Sequence, residues 1–159
     1  MWIELDGWAA KLRFSACHVI PDHPKCGKLH GHTYAVSVKV EGSVEDEFVI
    51  DFNILKMVIN KLCDELDHRI IIAENDSRIN ISQSGENIAM TITKSGKQYS
   101  FPQEDVVLIP TSSVSAESLC VWFSERIAQA IKSDNLTQIH VRVDEGSGQG
   151  AGCTRRINE

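Results

Sequence analysis

The sequence predicts an α+β fold, in which an antiparallel four-stranded sheet carries two helices on one face. Three observations support this prediction. Polar and apolar residues alternate with period 2 at 33–41 and 138–144, as in half-buried strands. Apolar residues recur at three-to-four spacing at 52–67 and 115–133, as in amphipathic helices. The order of these elements, with strands at both ends and helices between them, is typical of helices packed on an antiparallel sheet.

The remaining elements follow from shorter signals. Residues 8–20 are rich in Phe, Leu, Val and Ile and are predicted to pair with the first alternating strand. Residues 48–50 form a short apolar strand that ends at Asp51, a candidate N-cap for the first helix. A Lys-Ser-Gly-Lys sequence at 94–97 is typical of a hairpin turn, so residues 74–110 are interpreted as an inserted β-ribbon.

Length and charge limit the classes of function. The chain has 159 residues, of which 42% are hydrophobic, which suits a single domain over 1–159 with its own core. Sixteen Lys plus Arg against 22 Asp plus Glu give a net charge of −6 without any basic run. This balance argues against nucleic acid or a membrane surface as a partner. No apolar stretch approaches the roughly 20 residues that would span a bilayer.

The five cysteines predict no disulfide framework. Their number is odd, none form a CxxC pair, and the N-terminus lacks a basic-then-apolar signal pattern, so a reducing, cytoplasmic location is expected. Cys17, Cys63 and Cys120 lie in apolar stretches, as small buried thiols do. Cys153 lies in a Gly-rich tail and has no predicted partner. Of the five thiols, only Cys26 is assigned a chemical role.

Four of the six histidines cluster near the N-terminus. His30 and His32 are two residues apart, so in an extended chain both imidazoles project from one face. His18 on the paired strand can complete a set of three Zn²⁺ ligands with an open fourth position, and Gly31 relieves crowding there. The alternative is that these are surface histidines in a polar loop. His23 has no partner at strand spacing and is interpreted as a loop residue.

Two roles are open for Cys26, which lies four residues before His30. It is either a fourth zinc ligand in a closed structural site, or a nucleophile or base beside a catalytic metal. Nearby zinc-bound imidazoles and the flanking Lys25 and Lys28 would favour its thiolate. The spacing alone does not decide between the two roles.

Three further residues are candidates for proton transfer or substrate binding. Asp67 and His68 close the first helix, where they are either helix-end residues or an Asp-oriented imidazole that shuttles protons. Glu145 follows the last predicted strand and precedes a Gly-rich stretch. Its carboxylate is either solvated or able to grip a guanidine-like edge with two parallel hydrogen bonds.

Five segments, in this order along most of the chain, together resemble the 6-pyruvoyltetrahydropterin synthase superfamily. They are Phe14-Ser15-Ala16-Cys17-His18, Cys26-Gly27-Lys28-Leu29-His30-Gly31-His32-Thr33-Tyr34, Val49-Ile50-Asp51-Phe52, Leu66-Asp67-His68 and Val141-Arg142-Val143-Asp144-Glu145. The three-residue gap between Cys26 and the His-Gly-His element is similar to that of the 6-carboxytetrahydropterin synthases of 7-deazaguanine (queuosine and archaeosine) biosynthesis.

The resemblance implies the tunnelling fold (T-fold), in which trimers close a barrel and commonly stack as hexamers. Such an assembly would remove the exposed edges of the sheet. The resemblance also implies a pterin triphosphate as the small-molecule substrate and a Zn²⁺ cofactor held by His18, His30 and His32. Cys26 would then be the catalytic base.

The remaining roles also come from the resemblance. Asp67 and His68 would form a catalytic proton-transfer pair that meets the site across a subunit boundary, and Glu145 would bind the 2-amino and ring N–H edge of the pterin. A Glu-Asn-Leu-Ala element of the family matches either Glu86-Asn87-Ile88-Ala89 or the segment Ser115-Ala116-Glu117. The second segment opens an amphipathic helix, so Ser115 and Glu117 are chosen as substrate-binding residues.

The expected activity is zinc-dependent conversion of 7,8-dihydroneopterin triphosphate to 6-carboxy-5,6,7,8-tetrahydropterin, acetaldehyde and triphosphate. Lys25, Lys28 and Arg13 are the local cations available for the triphosphate. Gly146 stands where the family usually has threonine, which affects the rim of the pterin pocket. The alternatives are 6-pyruvoyltetrahydropterin synthase or dihydroneopterin aldolase-type activity on the same scaffold. A non-catalytic zinc-binding assembly protein, with Cys26 as the fourth ligand, is the alternative of another class.

Overall fold

The chain forms a seven-stranded main sheet with two helices packed on it, and a separate three-stranded sheet. A computed structural model describes residues 1–158. The strands are β1 (Trp2–Leu5), β2 (Arg13–His18), β3 (His30–Gly42), β4 (Arg69–Ala73), β5 (Ile79–Ser84), β6 (Asn87–Ile92), β7 (Gln98–Pro102), β8 (Val106–Ile109), β9 (Leu136–Glu145) and β10 (Gly150–Arg156). The helices are α1 (Phe52–Leu66) and α2 (Ala116–Ala130). The main sheet has the order β10-β9-β3-β2-β4-β8, and β1 pairs with the second half of β3.

The predicted α+β class, with two helices and a mainly antiparallel sheet, is confirmed. Both helices begin where the sequence predicts. The Asp51 carboxylate accepts a hydrogen bond of 2.6 Å from the N–H of Asn53, and the Ser115 hydroxyl accepts one of 3.4 Å from the N–H of Ser118. Neither helix is long and apolar enough to cross a membrane within the part of the chain that the structure describes.

The main sheet is larger than the predicted four strands. Segment 8–20 is a strand only from Arg13, because residues 6–12 form turns held by main-chain hydrogen bonds such as that from Leu12 N–H to the Gly7 carbonyl. The stub at 48–50 is not a strand and contributes only an isolated bridge between Glu45 and Phe48. The strands β4 and β8 pair in parallel, and so do β2 and β4, which adds a parallel edge to the antiparallel sheet.

The core lies between the main sheet and the helices. Val36, Val38 and Val40 on β3 are buried, as their alternation with polar residues predicts. An aromatic stack extends from the sheet to α2: the ring of Phe14 stacks on Tyr34 at 4.7 Å and meets Phe123 at 5.8 Å between centroids. This stack fixes β2, β3 and α2 relative to one another, and those are three of the elements that surround the histidines.

The inserted segment is a three-stranded antiparallel sheet, β5-β6-β7, rather than a two-stranded ribbon. Its predicted hairpin turn is present and places Gly96 at a φ of 70°, a conformation that favours glycine. The predicted insertion at 74–110 also includes β8, which returns to the main sheet. The inserted sheet is therefore attached through neighbouring strands of the main sheet.

One cysteine expectation is wrong. Cys153 has a partner, since its Sγ lies 3.2 Å from the Sγ of Cys120 on α2. Cys153 belongs to β10, whose Gly-rich start hid the strand from sequence-based prediction. All five cysteines are free thiols.

Candidate active site

Three histidines converge on the face of the main sheet that carries the core. The antiparallel register of β2 and β3 places His18 directly opposite His30, and His32 follows on the same face. One ligand atom from each of His18, His30 and His32 lies within 4.8 Å of the others. The Nε2 atoms of His18 and His30 are 3.1 Å apart. Two nitrogens bound to one tetrahedral Zn²⁺ at about 2.0–2.1 Å would be separated by about 3.3 Å.

Main-chain carbonyls fix the tautomers of two of these rings. His18 Nδ1 lies 2.8 Å from the Val114 carbonyl oxygen, and His30 Nδ1 lies 2.7 Å from the Lys28 carbonyl oxygen. A carbonyl can only accept, so each Nδ1 carries the proton and each Nε2 keeps its lone pair. Two acceptor nitrogens at 3.1 Å repel each other unless a cation lies between them. The residues present therefore fit a bound metal ion.

Burial keeps His18 neutral, as a metal ligand must be. The pKa of His18 is lowered from 6.5 to about 4, mainly by burial and also by the neighbouring His30 and His32, while the Val114 hydrogen bond opposes the shift. A protonated ring would lose the lone pair that binds a metal. The sequence predicted this ligand set, but it did not predict the burial of His18.

Tyr34 belongs to this site, although the sequence analysis did not select it. Its hydroxyl lies 3.3 Å from His18 Nδ1, and burial raises its pKa, so the phenol stays protonated. Tyr34 pairs directly with Glu145 of β9. The sequence does contain a signal for this position. Tyr34 is two residues after His32, as His32 is after His30, so in a strand all three side chains project from the same face.

A cavity of about 410 Å³ opens beside His18 and joins most of the predicted site residues. It is lined by His18, Ile20, His23, Cys26, Ser115, Ala116, Glu117, Glu145, Gln149 and Gly150. The volume is in the range of small-molecule sites. The cavity thus combines a metal ligand, a thiol and two carboxylates.

Glu145 lies closest to the histidines among the acidic residues of the cavity. Its Oε1 is 3.9 Å from His18 Nε2. Burial raises the pKa of Glu145, which the nearby His32 partly opposes. The N–H of Glu145 donates to the Gln149 carbonyl and the Gln149 amide donates to the Glu145 carbonyl, so a closed turn holds this carboxylate at the cavity wall.

Ser115 and Glu117 line the same cavity from the first turn of α2. The pKa of Glu117 is lowered by its own main-chain N–H and by the Ser115 hydroxyl, so the carboxylate is charged. The competing match at 86–89 lies instead in the inserted sheet, with Glu86 in the turn after β5 and the other three residues at the start of β6. Only the segment at α2 thus faces the histidine cavity.

Cys26 lies in the segment between β2 and β3, residues 19–29, which we call the Cys26 loop. The N–H of Cys26 donates to His23 Nδ1 at 2.9 Å, and the carbonyl of Cys26 accepts from the N–H of Ile20 at 2.8 Å. The sequence predicts His23 only as a loop residue, but in the structure it holds the main chain of Cys26 and lines the cavity. Its sequence signal is weak, because the contact depends on a turn without regular periodicity.

Asp67 and His68 are adjacent to each other but do not line the histidine cavity. Asp67 accepts a hydrogen bond of 2.7 Å from the N–H of Ser15, and its other oxygen lies 2.8 Å from His68 Nδ1. His68 is 85% exposed and lines a different cavity, of about 550 Å³, together with Thr33 and other residues. One chain alone therefore does not bring this pair together with Cys26.

Comparison with known proteins identifies the family. The family model described as 6-pyruvoyl tetrahydropterin synthase matches residues 9–156. The chain belongs to this family. It is therefore an enzyme of the tetrahydropterin synthase type.

Similar proteins include several named members of the family. A Methanocaldococcus jannaschii protein, provisionally named 6-carboxy-5,6,7,8-tetrahydropterin synthase, is 40% identical over 164 residues, covering 100% of this chain and 99% of that protein. A Pyrococcus furiosus dihydroneopterin monophosphate aldolase is 37% identical over 81 residues, covering 51% of this chain and 66% of that protein. The structure of Plasmodium falciparum 6-pyruvoyl tetrahydropterin synthase superposes with a TM-score of 0.89 at 28% identity, covering 98% of each chain.

Proposed function

We propose that the chain is a zinc-dependent 6-carboxy-5,6,7,8-tetrahydropterin synthase acting on 7,8-dihydroneopterin triphosphate in 7-deazaguanine biosynthesis. The observation that carries the proposal is the shared cavity of His18, Cys26 and Glu145, beside His30 and His32. The similarity to the Methanocaldococcus jannaschii protein over the full chain supports this choice within the family. The five free thiols support a reducing, cytoplasmic setting.

The three imidazoles would hold the metal ion. Three histidines with an open fourth position are typical of catalytic zinc. Bound zinc would supply Lewis-acid polarisation of the hydroxyl groups on the substrate side chain, which eases loss of a neighbouring proton. The Val114 and Lys28 carbonyls orient His18 and His30 for this role.

Glu145 and Cys26 would act on opposite parts of the substrate. The Glu145 carboxylate, when charged, can accept two parallel hydrogen bonds from the 2-amino and ring N–H groups of a pterin. Ser115 and Glu117 line the same cavity from α2. Cys26, held by its main-chain bonds to His23 and Ile20, would act as the thiolate and take a proton from the side chain of the substrate, becoming a thiol.

Proton transfer by Asp67 and His68 requires a second copy of the chain. Both outer strands of the main sheet, β8 and β10, have a free edge in the single chain, and closure of such edges into a barrel is a stable solution. In a homotrimer, or a hexamer of two trimers, His68 of one chain can approach the cavity of its neighbour. Its exposure of 85% leaves it free to do so.

The cations proposed for the triphosphate divide into two groups. Lys25 and Lys28 are exposed on the Cys26 loop, near the cavity. Phe14 and His18 lie on one face of β2, and Arg13, at an odd spacing from both, lies on the opposite face of the sheet. We therefore retain only Lys25 and Lys28 as candidates from the same chain.

Product analysis tests this proposal against its alternatives. The purified zinc-loaded protein is given 7,8-dihydroneopterin triphosphate, and acetaldehyde, triphosphate and 6-carboxytetrahydropterin are expected in equal amounts. Triphosphate without acetaldehyde would indicate 6-pyruvoyl synthase activity, as in the Plasmodium falciparum structural neighbour. Glycolaldehyde from a dihydroneopterin substrate would indicate the aldolase activity for which the Pyrococcus furiosus relative is named. No product with intact bound zinc would favour a non-catalytic zinc-binding assembly protein.

A further inference from the structure

The inserted sheet β5-β6-β7 touches the Cys26 loop on both sides of the thiol. We propose that Arg78 and Lys97 are positioning residues, which hold the Cys26 loop so that the thiol stays in the cavity. This inference rests on the proposed function for its catalytic purpose, but the contacts themselves are independent of it. It assigns a role to an insertion whose sequence contains none of the predicted site residues.

Arg78 links the insertion to the start of the loop. Its Nη1 donates a hydrogen bond of 3.0 Å to the Pro21 carbonyl. Its Nε and Nη2 donate to the two carboxylate oxygens of Asp76 at 2.8 and 2.7 Å, so the guanidinium has little freedom to turn. Burial alone would raise the pKa of Asp76, but the bonds from Arg78 lower it and keep the carboxylate charged. A planar group fixed on two sides is a rigid support for the third contact.

Lys97 reaches the other side of the thiol. Its Nζ donates a hydrogen bond of 3.3 Å to the carbonyl of Gly27, the residue directly after Cys26. Lys97 directly follows Gly96 in the β6–β7 turn, and its ammonium lies 5.3 Å from the ring centroid of Tyr99. The insertion thus contacts the loop at Pro21 and again at Gly27.

The loop is not part of either sheet. Hydrogen bonds within it connect Ile20, His23, Cys26 and Gly27, and Lys28 with Lys25, so they fix its local shape but do not attach it to the rest of the chain. At its start, Val19 packs into the apolar cluster of the inserted sheet, which includes Ile88, Met90 and Ile92. These contacts let a movement of the insertion pass directly to Cys26. A misplacement of about 1 Å in such a group can reduce a reaction rate about a hundredfold.

The test compares Arg78→Met, Lys97→Met and the double variant with Lys94→Met. Lys94 is an exposed cation in the β6–β7 connection and has no polar contact among residues 1–158, so it controls for charge. The first readout is the rate at which iodoacetamide alkylates Cys26, measured by peptide mass spectrometry with Cys153 as the internal reference. The second is amide hydrogen exchange of residues 20–27. Both readouts work whether or not the protein turns over substrate.

We expect the double variant to alkylate Cys26 at least threefold faster and to exchange residues 20–27 faster, with unchanged zinc content. Its kcat should fall at least tenfold while KM changes little, because substrate-binding groups outside the loop remain in place. Arg78→Lys should behave like Arg78→Met in alkylation, amide exchange and kcat, since an ammonium cannot bind Asp76 and the Pro21 carbonyl in the same planar geometry. Lys94→Met should behave as the parent.

Unchanged alkylation and exchange in the double variant would overturn the inference. If Arg78→Met unfolds, Lys97→Met still decides the question, because Lys97 is exposed and its loss removes only surface contacts, those with the Gly27 carbonyl and the Tyr99 ring. Faster alkylation of Cys26 in the double variant, combined with a parent protein that forms no pterin product, would leave the positioning role intact and reject the proposed function.

Discussion

The Nδ1 atom of His18 lies 2.8 Å from the carbonyl oxygen of Val114, and this contact determines which nitrogen of His18 can bind a metal. Val114 directly precedes the N-cap of α2, so the start of that helix and the orientation of the ring are linked. The proton stays on Nδ1, and the Nε2 lone pair points towards His30. The histidine cluster that could hold a metal is thus built by the main sheet together with the segment that begins α2.

Removal of any one histidine of the site should release the metal. We expect His18→Ala, His30→Ala and His32→Ala each to lower Zn²⁺ affinity at least a hundredfold, because two imidazoles leave half of a tetrahedral shell to water. Metal content after dialysis, measured by mass spectrometry, checks this. His140→Ala is the matched control, since His140 bonds to Glu41 and Thr154 away from the site. Full zinc content in all three variants would contradict the ligand assignment.

Replacement of the Cys26 thiol separates catalysis from metal binding. Cys26→Ala should lower kcat by about 10²–10⁴, the usual contribution of a general base, while the protein keeps its zinc and its thermal stability. Parallel assays of product formation and bound metal give the answer. A loss of zinc together with activity would show that the thiolate is a structural ligand instead.

Neutralising Glu145 should weaken pterin binding. Glu145→Gln keeps the shape of the side chain but replaces a carboxylate that accepts two bonds, which we expect to raise the Kd for neopterin about 10- to 100-fold. Quenching of pterin fluorescence measures this Kd. Glu47→Gln, on an exposed loop, serves as the control. Equal affinity in Glu145→Gln and the parent would exclude Glu145 as the anchor.

Asp67 should make stability depend on pH. The hydrogen bond from the Ser15 N–H lowers the pKa of Asp67 below its ordinary 3.8, and His68 lowers it further, although burial opposes both. A lowered folded pKa stabilises the protein above the unfolded pKa, and this stability is lost as pH falls through the folded pKa.

The matched variant for this prediction is Asp67→Asn, which can still accept from Ser15 but carries no charge. The parent should exceed it in free energy of unfolding by about 0.5–1 kcal/mol at pH 7, a modest value because solvent screens this partly exposed group. Urea unfolding at pH 7 and at pH 2.5 measures the difference. A gap that widens on acidification would contradict the assigned direction.

Sequence patterns located both helices and the two longest strands, β3 and β9. The helices were predictable because their apolar stripes and N-caps are local, and β3 and β9 because their alternation is long. β4 and β8 were missed because they are short apolar segments whose pairing is parallel and non-local. β10 was missed because it starts with Gly-Ala-Gly, which has a low strand propensity. Its pairing with β9 compensates for that low propensity.

The sequence by itself determined which three imidazoles come together, since the spacing of His30 and His32 and one paired strand suffice to place them beside His18. It also determined the α+β class through two periodicities. Only the tertiary structure decided that Val114 fixes the tautomer of His18, that Tyr34 and His23 lie beside the cluster, and that His68 lines a different cavity from Cys26 within one chain. The reason is physical. Spacing along a strand fixes the face of the sheet on which each side chain projects, whereas contacts between distant segments depend on how sheets, helices and loops pack.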